Sequence, residues 1–231
     1  MYARFLKRPI DFLLSLLALI VLSPILLILM LIGAVVMKGN PFFVQVRPGR
    51  VRKYGGKERL FKLIKFRTMT NAKDKYGNLL PDEKRLTKYG KLLRSTSLDE
   101  LPELINILVG DMSIVGPRPQ LVRDMVFMSE EQRMRHSVRP GLSGLAQING
   151  RNNITWEQKL DYDLQYIKNI TLLGDIKILF LTVIRVFKRS DTVREGTVSD
   201  VDFGDWLVVQ GKVDQETYDA KQAEAKEMLR V

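Results

Sequence analysis

Ser97-Leu-Asp-Glu-Leu-Pro-Glu-Leu-Ile-Asn-Ile-Leu-Val-Gly-Asp-Met-Ser-Ile-Val-Gly-Pro-Arg-Pro119 is the stretch on which the reading of this chain turns. It divides into a helix start, a short apolar helix and a stiff loop. Ser97 and Glu100 have the spacing of a capping box, with Ser97 as N-cap and Glu100 three residues on. Pro102 is tolerated only near a first helical turn, which fixes the start there. Leu101, Leu104, Ile105 and Leu108 then form an apolar side at helical spacing. Asp99 and Glu100 are adjacent carboxylates at this helix start. Acidic residues belong at helix N-termini in any protein, so the pair reads both as a cap and as chemical groups. Beyond the helix, Gly116-Pro-Arg-Pro119 clamps Arg118 between two prolines, whose geometry keeps it extended. An arginine so held is pre-organised for an anion, and its planar fork suits a phosphate. A plain polar turn is the alternative.

The rest of the composition narrows the chemistry. The chain has 231 residues, enough for one or two domains with a real core. It has no cysteine, which excludes disulfides and thiolate zinc sites. Its one histidine, His136, reads as a surface or capping residue, so carboxylates and cations must carry any reaction. The net charge of +11 is concentrated: residues 1–37 carry +2, residues 38–95 carry +13 and residues 96–231 carry −4. A basic block of that kind attracts nucleic acid, nucleotide phosphates or an anionic membrane surface. Few aromatics interrupt it, and an apolar stretch precedes it, so nucleic acid is not the expected partner.

That apolar stretch, Phe12 to Met37, runs 26 residues without a charge, long enough to span a bilayer. It is too long for a signal peptide. Ser23-Pro24 falls at its middle, where Pro24 removes the hydrogen bond to the Ile20 carbonyl and should kink the helix. Ser23 can satisfy the freed backbone group locally. Each half is then only about 18 Å long, too short to cross a core of about 30 Å. Both flanks are basic, which would keep both ends in the cytoplasm. A helix–break–helix hairpin that enters and leaves by one leaflet satisfies both features; a plain spanning helix is the competing reading. Asp11 is placed to pair with Arg8 on one helix face.

Downstream, Pro41 to Val46 reads as a short strand and Arg47 to Arg50 as a turn. The charged segment 52–59 reads as a hairpin loop. The alternation in Leu60 to Met69 puts Phe61, Leu63, Lys65, Arg67 and Met69 on one strand face. Lys65 and Arg67 then form a cationic pair; solvated charges on an edge strand are the alternative. Glu83 to Leu93 reads as a basic helix, and Leu121 to His136 as an amphipathic helix with Val122, Met125, Val126 and Met134 on its apolar side. The Gly-rich run from Arg139 to Arg151 could bring backbone N–H groups to a phosphate or base, or simply be a tight loop between core elements. Trp156 to Ile170 is a helix, and Thr171 to Lys188 an apolar helix lying on the membrane surface. Val201 to Val209 reads as a segment that docks on the body or on a second protomer.

Several of these motifs, in this order, resemble those of the monotopic phosphoglycosyl transferases, also called bacterial sugar transferases. They are the membrane segment with Ser23-Pro24, Lys65-Phe-Arg-Thr-Met69, Ser97-Leu-Asp-Glu-Leu-Pro102, Gly110-Asp-Met-Ser-Ile-Val-Gly-Pro-Arg-Pro119 and Arg139-Pro-Gly-Leu-Ser-Gly-Leu-Ala-Gln147. The likeness runs from about residue 7 to 188, and the length is similar to that of the small members carrying only the catalytic domain. It implies a mostly helical α+β monotopic membrane protein: a re-entrant hairpin (1–38), a catalytic domain with a small β-hairpin (39–188), and a C-terminal extension (189–231) available for an oligomer or partner contact. It places the protein on the cytoplasmic face of a bacterial inner membrane, with a homodimer as a further expectation. The reaction implied is transfer of a sugar 1-phosphate from a UDP-sugar to undecaprenyl phosphate, releasing UMP, with Mg2+ as cofactor. It is the first membrane step of a surface glycan. On that reading Asp99 is the nucleophile and the metal-coordinating residue, and Glu100 its partner. Lys65, Arg67 and Arg118 hold phosphates, and Arg139 and Arg151 are candidates for the nucleotide. A metal-dependent UDP-sugar phosphodiesterase or pyrophosphatase, or a non-enzymatic membrane scaffold, would use the same residues differently.

Overall fold

The computed structural model describes residues 1–51, 56–150, 154–188 and 201–230. After a π-helical turn at Tyr2–Leu6, helix α1 runs over Lys7–Val36 as one hydrogen-bonded element with Pro24 inside it. The residues did signal how Pro24 is tolerated. The Ile20 carbonyl that loses its backbone donor receives the Ser23 hydroxyl at 2.7 Å. The run Tyr2–Val36 is the one helix, among the described residues, long and apolar enough to cross a membrane.

Helix α1 has two unlike faces. Asp11, Ser15, Leu29 and Gly33 are buried, and Ala18, Leu19, Leu22, Leu26 and Met30 pack partly against the body. These positions recur every three or four residues, the period of one helical face. On the opposite face Leu13, Leu17, Ile20, Val21, Ile28 and Val35 are each more than half exposed. Both halves of the helix are fastened to the same body. Arg8 donates to the carbonyls of Ile107 (2.6 Å) and Leu108 (2.7 Å). Asp11 accepts from Ser113 Oγ (2.7 Å) and the Ile114 N–H (3.1 Å), and Tyr89 donates its hydroxyl to Leu29 O (2.7 Å). The expected Arg8–Asp11 pair is therefore replaced by two longer-range contacts. The carbonyls at the C-terminal end of α4, where the helix carries partial negative charge, attract Arg8, and a strand N–H draws Asp11 the other way.

Strands β1 (Phe42–Val51) and β2 (Glu58–Phe66) form an antiparallel hairpin with Phe42 opposite Phe66 and an irregularity between Pro48 and Val51. The turn expected at Arg47–Arg50 is instead strand. Pro48 faces Leu60 where the register begins to slip, a position in which its missing N–H is tolerated. Two short helices, α2 (Asp82–Arg85) and α3 (Lys88–Thr96), replace the single helix expected over 83–93. Leu98–Glu100 form a 3-10 turn, α4 spans Glu103–Val109, and β3 is Ser113–Val115. The helix expected over 121–136 is divided into α5 (Val122–Met125), α6 (Glu130–Arg133) and a 3-10 turn (Met134–Ser137). Ser129 divides it by capping α6 from inside the run, accepting from Gln132 N while Gln132 Oε1 accepts from Ser129 N. Met134, expected on the apolar side, is exposed in consequence.

Strand β4 (Gly141–Ser143) pairs in parallel with β3, followed by α7 (Leu145–Ile148), α8 (Trp156–Lys168) and α9 (Leu172–Lys188). The Gly-rich run is the tight structural joint: a Cβ on Gly141 would lie 2.1 Å from the Gly116 backbone nitrogen. Helix α9 presents Leu173, Ile176, Phe180 and Val183 outward, as expected of a surface helix. Its Asp175 ties it to the start of the chain, accepting from Tyr2 (2.7 Å), Lys7 (2.5 Å) and Tyr166 (2.9 Å). Helices α10 (Phe203–Val209) and α11 (Gln215–Met228) dock on the body itself. Phe203 and Leu207 pack with Met128, Trp156 and Leu160, and Ala225 with Val122, Met125 and Val126.

Candidate active site

Strand alternation explains the first wall of the site. Phe61 and Leu63 point into the core against Leu104, Ile107 and Met112, and Lys65, two residues on, emerges on the same face at the core's edge. The strand ends at Phe66, one residue before Arg67, but both cations line one cavity of about 980 Å³. Arg67 has no side-chain partner among the described residues.

The second wall is the 3-10 turn. Ser97 adopts a left-handed conformation (φ 56°) that closes α3, and the chain re-enters as Leu98-Asp99-Glu100. The expected capping box is not formed: no side-chain cap closes the turn at Ser97. One reason is that the Ser97 N–H is already spent on the Arg94 and Leu93 carbonyls as it closes α3; the other is electrostatic. Glu100 Oε1 is taken by Lys65 Nζ at 2.9 Å and by Arg118 Nη2 at 2.6 Å, and charge-assisted bonds of that kind outweigh a bond to a backbone N–H. Helix α4 begins only at Glu103, after Pro102. That rotates Ile105 out to solvent and turns Glu103, Leu104, Asn106 and Ile107 inward.

Arg118 is the third wall. Pro117 and Pro119 on either side are buried, which locks the backbone between them. Its carbonyl accepts from Arg135, which is itself held by Asp163 at 2.6 Å. One guanidinium nitrogen meets Glu100, and the remaining N–H groups of Arg118 have no partner among the described residues.

Three carboxylates and two cations therefore share this corner, and their protonation follows from how they pair. Burial pushes the Glu100 carboxyl up, but Arg118 and Lys65 outweigh it and hold it well below the usual carboxylate range. Burial pushes Glu103 up to about 7; Lys65, 3.0 Å away, opposes this and Glu100 adds to it. Asp99 is raised by burial and then by Glu100, with Lys65, Arg94 and Arg118 acting against both. Asp99 makes no hydrogen bond or ion pair among the described residues. It is a carboxylate beside cations, at a cavity surface, with its oxygens uncommitted.

Glu103 was not identified in the sequence as a site residue. The signal was present: Glu103 lies four residues after Asp99 and three after Glu100, a spacing that brings acids to one side of a helical segment. Arg47 was also missed. It lines the cavity, hydrogen-bonds Gln45 (2.7 Å) and Pro119 O (3.3 Å), and keeps a buried Nε without a partner. Burial and Arg118 lower it to about 10.

Two expected nucleotide contacts are not brought here. Arg139 lines a separate cavity, and Arg151 lies outside the described residues. His136 is neither surface nor cap. It is buried against Glu58 (3.1 Å), and burial lowers it to about 4. The far wall comes from beyond the catalytic segment: Val201 and Asp202 line the cavity beside Trp156 and Lys159, and Asp202 pairs with Arg123.

Among the described residues no three His, Asp or Glu side chains converge to hold a metal by themselves. Uncommitted Asp99 offers one hard oxygen donor. That suits Mg2+, which is held by one or two carboxylates together with substrate phosphates.

The chain is similar to known sugar transferases. The chain is 50% identical over 186 residues to the sugar transferase EpsL of Bacillus subtilis, covering 78% of this chain and 87% of that one. It is 42% identical to the UDP-glucose:undecaprenyl-phosphate glucose-1-phosphate transferase of Klebsiella pneumoniae over 78% of this chain, and 40% identical to the Escherichia coli protein of the same name over 80%. The match spans only 40% of the length of each of these two. The family model for bacterial sugar transferases matches residues 2–189, which takes in α1, the hairpin, the acidic turn and the Arg118 loop. The chain belongs to the bacterial sugar transferase family.

Proposed function

We propose that this transferase moves a sugar 1-phosphate from a UDP-sugar to undecaprenyl phosphate through a covalent intermediate on Asp99. The observation that carries the proposal is the division of labour between adjacent carboxylates. Glu100 is locked to Lys65 and Arg118, while Asp99 is left uncommitted at the cavity surface. Relatives named for UDP-glucose and for galactose transfer to undecaprenyl phosphate support the donor and acceptor classes.

In the first step an Asp99 oxygen bonds to the sugar-bearing phosphorus, and the bond from that phosphorus to the bridging oxygen breaks. UMP leaves with the electron pair. In the second, an oxygen of the lipid phosphate attacks the same phosphorus and Asp99 is released as carboxylate, giving undecaprenyl-diphospho-sugar. Neither step requires a net proton. Arg67 and the free N–H groups of Arg118 bind the diphosphate and the charge that develops on it. Glu100 is a positioning residue that fixes Arg118 and Lys65. Asp99, together with substrate oxygens, would hold a Mg2+ ion, which when bound would neutralise charge on the diphosphate.

The two-faced α1 supports a re-entrant topology. Both halves dock on one body while the apolar face remains for lipid, which holds the site on one side of the bilayer at the height of the lipid phosphate. The test is UMP release from a panel of UDP-sugars with and without undecaprenyl phosphate. Sustained turnover only with the lipid supports the transferase. Sustained UMP release without it identifies a hydrolase and overturns the proposal.

A further inference from the structure

A second cavity, of about 360 Å³, shares no lining residue with the one around Asp99. Arg8, Arg50, Arg59, Arg139, Asp111 and Val109 line it. Four guanidinium groups thus face one carboxylate. Arg59 reaches Asp111 only at 3.6 Å. The others are fastened by backbone carbonyls rather than by acids. Arg8 holds the end of α4, Arg139 Nε donates to Gly110 O (2.9 Å), and Arg50 Nε donates to Ser137 O (3.1 Å).

That mode of attachment fixes each side chain and leaves its charge unneutralised. The Nη groups of Arg139 and Arg50 have no hydrogen-bond partner among the described residues. Burial lowers the affinity of Arg139 for its proton, and Arg50 and Arg8 push the same way, against smaller opposing effects of Asp11 and Asp111: the cations here outnumber the acids.

The border of the cavity is apolar. Val109 is 65% exposed, and the Arg8 guanidinium carbon lies 5.8 Å from the ring centroid of Phe12, the residue that opens the uncharged run of α1. The cluster therefore sits where the lipid-facing surface of α1 meets the polar body. Arginine forks match phosphate oxygens geometrically, and basic pockets beside membrane helices suit lipid headgroups.

We propose that this cavity binds the phosphate of an anionic phospholipid headgroup, with the acyl chains running over Phe12 and Val109. The test follows the Tm of the full-length protein in neutral detergent while phosphatidylglycerol, phosphatidylcholine or inorganic phosphate is added. Phosphatidylglycerol should raise Tm more than phosphatidylcholine. Its midpoint concentration should rise about fivefold for each arginine removed in Arg50→Gln, Arg59→Gln and the double variant. Arg50 and Arg59 are exposed, so these variants fold. A Lys75→Gln, Lys84→Gln control, with the same charge loss elsewhere, should leave the midpoint unchanged. Equal responses to the two lipids, or an unshifted midpoint in the double variant, would overturn the site. Protection by inorganic phosphate at the same concentrations, lost in the same variants, would make free phosphate the occupant and overturn the lipid assignment.

Discussion

Glu103 should make the stability of this protein fall as pH rises, and Glu103→Gln should remove that dependence. Burial raises its carboxyl from an ordinary 4.5 to about 7. A carboxyl raised on folding holds its proton more tightly in the folded chain. Its contribution is complete below about pH 4.5 and is lost as pH climbs through about 7. The displacement corresponds to about 3 kcal/mol, which for a chain of this size is about 6–12 °C in Tm. Glutamine keeps the shape and can still accept from Lys65, while Glu100 continues to balance that ammonium. The assay is Tm by intrinsic fluorescence from about pH 5 to about pH 8, on wild type and variant in the same detergent. Wild type should lose Tm across the range relative to Glu103→Gln, which should be the more stable of the two at the alkaline end. Parallel curves would refute the reasoning, because they would mean that Glu103 is ionised at both ends of the range.

Glu100→Gln should lower kcat/KM about 10²–10³-fold through misplaced Arg118 and Lys65, measured as UMP release under single-turnover conditions; near-normal rates would reduce Glu100 to a structural acid. Arg135→Met strands Asp163 in the core and should cost about 3–5 kcal/mol by chemical denaturation, most of it recovered in Arg135→Met, Asp163→Leu. The chain has no cysteine, so single cysteines placed at Arg4 and Lys38 can report topology. Both should react with an impermeant maleimide from the cytoplasmic side only, and opposite-side labelling would establish a spanning α1.

Most of the elements, and several residues that line the candidate site, are legible in the sequence from single motifs. Phe61, Leu63 and Lys65 share a face because a strand alternates, and Arg118 is held because proline restricts its neighbours; both facts are local and need no tertiary information. What misled was the acidic turn. Ser97 and Glu100 have capping-box spacing, yet a capping box needs both the Ser97 N–H and the Glu100 carboxylate; the end of α3 takes the first, and two cations distant in sequence claim the second. Lys65 is 35 residues away, so no local pattern reveals the competition. The same limit hid Glu103, whose meaning depends on Lys65, and Val201 with Asp202, which reach the cavity from the far end of the chain. His136 misled for the converse reason: a polar residue in a basic run gave no sign of Glu58 waiting in the core.

The most direct test of the account is the intact mass of the protein after mixing with its UDP-sugar in the absence of lipid phosphate. The prediction is a mass increase of one sugar phosphate per chain, mapped to the peptide containing Asp99, with an equal amount of UMP released. The adduct should vanish on adding undecaprenyl phosphate and never form in Asp99→Asn. UMP release and product formation without an adduct, or an adduct that persists in Asp99→Asn, would contradict the assignment of Asp99 as the nucleophile.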